Sequence, residues 1–427
     1  MIGATPLISV RAGTAICWVM GLVLSSNPAF AEEAQYRISP DFGSPDAVGN
    51  TIKSDQALDE GLSRIESLDD WFALKERVAE ESGLSFGLDY SAQGFVATGS
   101  LGEDTASGGM ARLFGSWELV GRGTPDSGAL VFKVEHRHRY GEVPPGSFAL
   151  ETGTVGVVAA PFSDQGTRLT NLYWRQRLLD GRATVTAGFL DATDYVDAFA
   201  LGSPWLHFTN LAFSTGSAAI GLPGDATLGI AAGAMLTENI YAIAGVTDAN
   251  ADPTEPFEGF DSVLNDNDYF TSLEIGWSSS QERIIFDNVH ATLWHTDGSD
   301  KFAVNDGWGI AASASFWIDD QWMPFLRGGY AEDGGTLLET SVSAGVGWQP
   351  DPGPNRDLLG VAFNVGKPNS DTFGPGLDTQ FSTEAFYRIN LTQTLAITPS
   401  LQMIVDPALD PNDDAIAIFG LRARLAL

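Results

Sequence analysis

From Leu84 to Leu427 the chain repeats one pattern: segments of about ten residues in which apolar and polar positions alternate one by one. Glu384, Phe386, Arg388 and Asn390 share one parity, and Thr383, Ala385, Tyr387, Ile389 and Leu391 the other. At the end of the chain Arg422 and Arg424 alternate with Phe419, Leu421, Ala423, Leu425 and Leu427. A period of two with charge on one side describes a strand with one wet and one dry face. Sixteen such segments are predicted, starting near residues 84, 109, 128, 167, 182, 226, 239, 268, 282, 307, 322, 336, 356, 380, 393 and 414.

The connections alternate in length. Short ones (Asp180-Gly181, Thr237-Glu238, 278–281, 319–321, Gln393) are followed by longer ones (141–166, 191–225, 250–267, 296–306, 368–379, 404–413), with 332–335 a short member of the long class. Transmembrane barrels show this asymmetry, with tight periplasmic turns and longer external loops. An even strand count returns both chain ends to the periplasmic side. Trp117, Trp174, Trp277, Trp294, Trp317, Trp322 and Trp348 lie toward strand ends, where interfacial girdle residues belong. The expected fold is all-β, a sixteen-stranded antiparallel transmembrane β-barrel with a short N-terminal periplasmic helix.

Ahead of the barrel the pattern changes twice. Residues 1–31 carry one charge, Arg11, then an apolar stretch from Ala12 to Leu24 and the exit Ala29-Phe30-Ala31. This is the layout of a secretory signal peptide. Glu32 to about Asp55, with Pro40, Gly43, Pro45 and Gly49, reads as a linker. From Gln56 to Ser82, Leu58, Leu62, Ile65, Leu68, Phe72 and Val78 form a helical stripe that Gly83 would end. The expected organisation is therefore signal peptide 1–31, periplasmic linker and helix 32–82, and outer-membrane barrel 83–427.

Composition agrees with export and excludes several functions. The 427 residues hold 23 Lys plus Arg against 55 Asp plus Glu, a net charge of −32, so a phosphate backbone would be repelled and nucleic-acid binding is excluded. Aromatics at 11% are too many for an acidic disordered chain. A mean hydropathy of −0.01 is too polar for a bundle of spanning helices. The single cysteine, Cys17, leaves with the signal, so no disulfide framework or thiolate metal site is expected. Across the eight predicted outer loops there are two dozen acidic residues and one basic residue, Lys301.

A sixteen-stranded barrel keeps an aqueous channel, so function is sought on inward faces and in loops that fold inward. Lys133, Glu135, Arg137 and Arg139 share one face of the third strand; Tyr173, Arg175 and Arg177 share one face of the fourth. Sequence neighbours are spatial neighbours in such a barrel, so these rows make one basic wall, extended elsewhere by Arg388, Arg422 and Arg424. Arginine donates forked hydrogen bonds that suit a polyol. The alternative use of each arginine is to pair with acidic loop residues and hold loops in place. The 191–225 loop is the longest and is rich in apolar residues, which makes it the candidate constriction. Asp191, Asp194 and Asp197 would face the basic wall, while Tyr195, Trp205 and Phe208 either offer flat faces to sugar rings or anchor the loop.

Several stretches resemble the carbohydrate-selective porin family, the OprB type. They are Asp70-Trp-Phe-Ala-Leu-Lys-Glu-Arg77, Gly188-Phe-Leu-Asp191, His207-Phe-Thr-Asn210, Leu293-Trp-His-Thr-Asp297 and Pro324-Phe-Leu-Arg-Gly-Gly-Tyr330. The ending is similar too: Thr383 to Arg388, Leu395 to Gln402, Asp406-Pro407, and Ala417 to Arg424. The resemblance spans roughly residues 68–427 and rests on the order of these stretches. It implies passive uptake of mono- or oligosaccharides, with charged and aromatic residues lining the narrow region. Asp406-Pro407 stands where Asn-Pro is expected, and Leu427 where such barrels usually end in Phe.

Expected partners follow: sugars as permeants, outer-membrane lipid and lipopolysaccharide around the wall, and the barrel-assembly machinery reading the last strand. A homo-oligomer is left open. The alternatives are a general diffusion porin with mild cation preference, and a structural link to the cell wall through residues 56–82. An enzyme is not expected, since no nucleophile motif accompanies the five histidines. No cofactor is expected. Asp252, Glu255, Glu258, Asp261 and Asp266 crowd one loop but lack EF-hand spacing, so no metal site is assigned.

Overall fold

The computed structural model describes residues 42–56, 61–156, 158–299, 301–350 and 356–427. The expected signal segment 1–31 and Leu58 lie outside them. Among the described residues sixteen antiparallel strands follow one another in sequence order, and the first pairs with the last to close the ring. They are β1 (Leu84–Ala97), β2 (Thr105–Val120), β3 (Gly128–Arg139), β4 (Gly166–Leu178), β5 (Ala183–Leu190), β6 (Thr227–Met235), β7 (Ile240–Asp248) and β8 (Tyr269–Ser278). The second half comprises β9 (Asn288–Thr296), β10 (Gly307–Ser315), β11 (Trp322–Asp333), β12 (Leu338–Trp348), β13 (Leu358–Pro368), β14 (Gln380–Asn390), β15 (Leu395–Val405) and β16 (Ala415–Ala426). Closure satisfies every strand edge within the sheet, which a lipid environment requires.

Two starts depart from expectation by more than two residues. β2 begins at Thr105 rather than near 109, because Gly108 and Gly109 carry no side chain to show a period. β9 begins at Asn288 rather than near 282. Gln281–Arg283 forms a short 3-10 helix there, held by an Arg283–Asp287 pair at 2.5 Å.

Polarity is inverted relative to a soluble core. Leu273, Ile275, Val289, Leu293, Leu326, Phe419 and Leu421 are exposed, while their alternating neighbours Glu274, His290, Thr292, Arg327 and Arg422 are buried. An apolar exposed row with such polar residues on the buried side fits a wall with lipid outside and polar contents within. Trp322 stacks on Trp348 at 5.6 Å on the outer face at the short-turn end, and Trp308 lies against Tyr330 at the long-loop end. Trp294 is a correction to the expected girdle. It points inward, 3% exposed, under Gly221, Gly309 and Gly334, whose missing side chains make its space.

Residues before β1 also depart from expectation. The helix α2 (Asp69–Ser82) ends at Gly83 as its stripe predicts, with φ +79° at the cap. It packs on the rim through Trp71 against Phe86. Leu62 and Ile65, expected on the same helix, are exposed and nonhelical. The linker expected up to Asp55 contains a further helix, α1 (Val48–Gln56), and residues 42–56 lie among inward-facing side chains of the barrel.

Candidate functional site

The lumen is crossed by the 191–225 loop, hereafter loop 3, which leaves β5 and reaches the opposite wall. Its apolar residues pack on an apolar patch of the inner face. Phe208 meets Phe213, Phe325 and Phe386 with ring centroids 4.9–5.9 Å apart, and Phe199 lies beneath the Arg327 guanidinium at 3.8 Å. Its polar groups find charged partners. Glu384 accepts from the backbone amides of Thr209 and Asn210 at 2.8 and 2.9 Å, and Arg422 donates to the carbonyls of Pro204 and His207. Inward charges here serve as hydrogen-bond sockets for a loop with no regular ladder of its own.

Asp197 is the tightest of these anchors. It takes Arg327 at 2.5 Å and His290 Nε2 at 2.8 Å, accepts from the Gly216 amide at 2.7 Å, and its own amide donates to Glu274. Burial alone would raise the Asp197 carboxyl, but Arg327 and His290 outweigh it and hold it low. His290 spends its second nitrogen on Asn288 at 2.6 Å. A second loop, 141–166, also folds inward: Val143, Phe148, Val158, Ala159 and Phe162 cluster with Phe95, Ile404, Ile416 and Ile418. Only its length drew notice in the sequence, although the run from Val155 to Phe162 carried the signal.

The basic wall exists, with changes. Lys133, Glu135 and Arg137 are buried on the inner face of β3; Arg139 is half exposed at its end, paired with Asp164 at 3.1 Å. Lys133 Nζ stands 3.6 Å from Asp191 and 3.9 Å from Asp194. Arg137 bridges Glu135 at 2.5 Å and Asp225 at 3.2 Å. Arg168, absent from the expected set, joins Asp225 at 2.6 Å. A β-bulge opposite Lys133 and Val134 puts an extra residue into β4, so alternation shifts by one and Arg168 turns inward together with Tyr173 and Arg175. Burial pushes Asp191 up to about 7, with Asp225 and Asp194 adding to it. It pushes Asp194 up to about 6 against the pull of Lys133. Asp225 is held low despite burial by Arg137 and Arg168.

The remaining expected residues are spread around the ring. Arg175 reaches Ser116 at 3.4 Å, Arg177 pairs with Glu118 at 3.7 Å, and Arg388 donates to the Arg356 carbonyl near the short-turn end. Trp205 lies under Arg112 at 5.1 Å and donates to Met110. Trp205 and Phe208 are 6% and 0% exposed, packed between loop and wall, and the ring of Tyr195 fills the space over Gly245. Arg424 of β16 is buried in a cluster with Asp89 of β1 and Arg112 of β2, both absent from the expected set, at 2.5–2.8 Å. In the 250–267 loop, Asp252 and Glu258 hold Lys301 at 3.3 and 2.9 Å, and no group of metal-ligating side chains is assembled among the described residues.

Above loop 3, at the long-loop end, a cavity of about 530 Å³ opens between loop 3 residues 211–224 and the 249–253, 296–304 and 334–337 connections. Arg168 and Gln165 line one side of it. The profile of the carbohydrate-selective porin, OprB family matches residues 118–303 and 286–427, most of the chain.

The chain belongs to the carbohydrate-selective porin, OprB family.

The porin is thus an outer-membrane channel for sugar diffusion. Its fold is similar to a structure of Pseudomonas putida OprB at high pH, with TM-score 0.65 and 15% identity over 84% of this chain and 97% of that one. A low-pH structure of the same protein gives TM-score 0.48 and 12% identity over 86% and 99%. A porin mutant from Rh. blastica gives 0.48 and 11% over 81% and 100%. None of the curated proteins compared with the porin matches it.

Proposed function

We propose that neutral mono- or oligosaccharides enter this porin through the 530 Å³ cavity and pass along the β3–β4 wall beside loop 3. The observation that carries this is the placement of Arg168: one side lines the cavity, and its guanidinium meets Asp225 beside Arg137 and Glu135. Sugar hydroxyls exchange readily with such side chains, because guanidinium and carboxylate groups offer donors and acceptors in the geometry water had occupied. Lys133, Asp191 and Asp194 continue the path; Asp197, Trp205 and Phe208 hold the loop that shapes it.

No catalytic role is proposed. His290 has both ring nitrogens committed to Asp197 and Asn288, which leaves none to activate a hydroxyl. For export, we propose cleavage after Ala31, supported by the Ala29-Phe30-Ala31 exit. The last strand, with outward Phe419, Leu421 and Leu425 and Leu427 bonded to Leu88, is the segment proposed to meet the assembly machinery. The acidic outer loops are proposed to share divalent ions with surrounding lipopolysaccharide.

Single-channel current titrated with neutral sugars tests the path. Arg168→Ala should weaken sugar block roughly tenfold, the effect of losing one charge-assisted hydrogen bond of about 1.5 kcal/mol. Unchanged block in a folded variant would move the sugar path away from β4.

A further inference from the structure

Residues 42–56 sit inside the barrel at its short-turn end, beneath loop 3, and cross from one wall to another. Phe42 packs on Gly233 of β6 and on Tyr241 of β7. The Ser44 amide donates to the Asp194 carbonyl at 2.6 Å, and Asp46 accepts from Ser203 Oγ at 2.5 Å, so the segment is fastened to loop 3 at two points. Val48 and Ile52 of α1 bury against Phe114 and Val131, inward residues of β2 and β3. Asp55 closes the crossing with a bidentate pair to Arg424 of β16 at 2.7 and 2.8 Å. Further along, Leu62 and Ser63 bond to Asn390 and Leu391 at the β14–β15 turn.

Between the segment and the wall lies a cavity of about 50 Å³. Gly43, Ala47 and Gly49 line it on one side, and Asn171, Tyr173 and Thr186 on the other. Asn171 Oδ1 has no hydrogen-bond partner. The small residues of the segment thus cover this strip of hydroxyl-bonding wall, in which Asn171 Oδ1 is left unengaged. The matched family residues begin at 118, after this segment.

We propose that residues 42–56 are an autoinhibitory plug, which closes the periplasmic exit of the sugar path and must withdraw, parting Asp55 from Arg424, for a sugar to leave. Withdrawal requires no change in the barrel. The contacts holding the plug include the hydrogen bonds to loop 3, the Asp55–Arg424 ion pair and the burial of Phe42, Val48 and Ile52. The wall strip at Asn171, Tyr173 and Thr186 then becomes the last sugar contact before the periplasm. The plug rests on the reading of this lumen as the sugar path, and its test keeps the two apart.

Ion current and sugar-driven swelling of liposomes are compared for the exported chain, a variant lacking residues 42–56, and Asp55→Asn. The deletion should raise conductance several-fold and Asp55→Asn should raise the open fraction, with neutral-sugar block retained in both. Should the deletion fail to fold, the double variant Asp46→Cys with Ser203→Cys serves instead, since oxidation pins the plug to loop 3. Current should then fall under oxidation and return on reduction. Unchanged current and swelling in a folded deletion, or in the oxidised lock, would overturn the plug while leaving sugar passage standing. Current that rises on deletion without sugar block would support the plug and overturn the sugar path. No conduction in any form would overturn both.

Discussion

Arg327 and Asp197 show how an inward residue of this barrel is used. Each is almost completely buried, and they meet at 2.5 Å with His290 on the second carboxylate oxygen. Removing one member of a buried pair strands the other, at a cost of about 3–5 kcal/mol. Arg327→Met should therefore release loop 3 and lower the temperature at which the barrel loses its heat-modifiable mobility; an unchanged temperature would show that loop 3 is held elsewhere. Asp46 gives a second expectation. Burial pushes its carboxyl up to about 6 from an ordinary 3.8, partly offset by the Ser203 hydroxyl. An acid raised in the docked state binds more protons there than when free, so docking weakens as pH rises from about 4 to 6. Labelling of Val48→Cys, taken relative to a freely exposed cysteine at the same pH, should accordingly be faster at pH 7 than at pH 4.5. Period-two parity made Lys133, Glu135, Arg137 and Arg388 legible as inward residues. It could not place Arg168, because the bulge that turns it inward leaves no mark in composition.

At the scale of elements, the strands were legible because each faces two different solvents and therefore alternates for most of its length. Loop 3 was legible for a related reason: thirty-odd residues rich in Phe, Leu and Ala need a surface to pack on. Whether its aromatics faced sugar or wall was not legible, since both uses demand the same side chains. The structure places Phe208 among three other phenylalanines, so Phe208→Ala should cost about 3–5 kcal/mol as a cavity while leaving the rank order of blocking sugars unchanged. Thermal unfolding and current block on one preparation separate the two effects. The segment 42–56 was misjudged as a linker because the usual rule for burial inverts inside a porin. Here Ser44, Asp46, Asn50 and Thr51 are buried, and after Phe42 only Val48 and Ile52 supply an apolar face. A polar strip with one apolar turn resembles a linker in every respect except where it lies.

For the whole molecule, charge is partitioned by compartment: acidic loops outside, apolar residues around the wall, and paired acids and bases within. Net charge of −32 concentrated on the outer loops attracts cations and repels anionic solutes. The reversal potential in a KCl gradient should show cation preference at 0.1 M and fade toward 1 M, as the screening length falls from about 10 Å to about 3 Å. Sugar phosphates should permeate poorly for the same reason, despite the arginines within. The most direct test of the account remains the open-channel current of the purified porin, titrated with a panel of neutral sugars. A saturable block that ranks the sugars, and that Arg168→Ala weakens, is the predicted result. Open current that stays constant to high sugar concentration would contradict a sugar-binding lumen and leave a general diffusion pore.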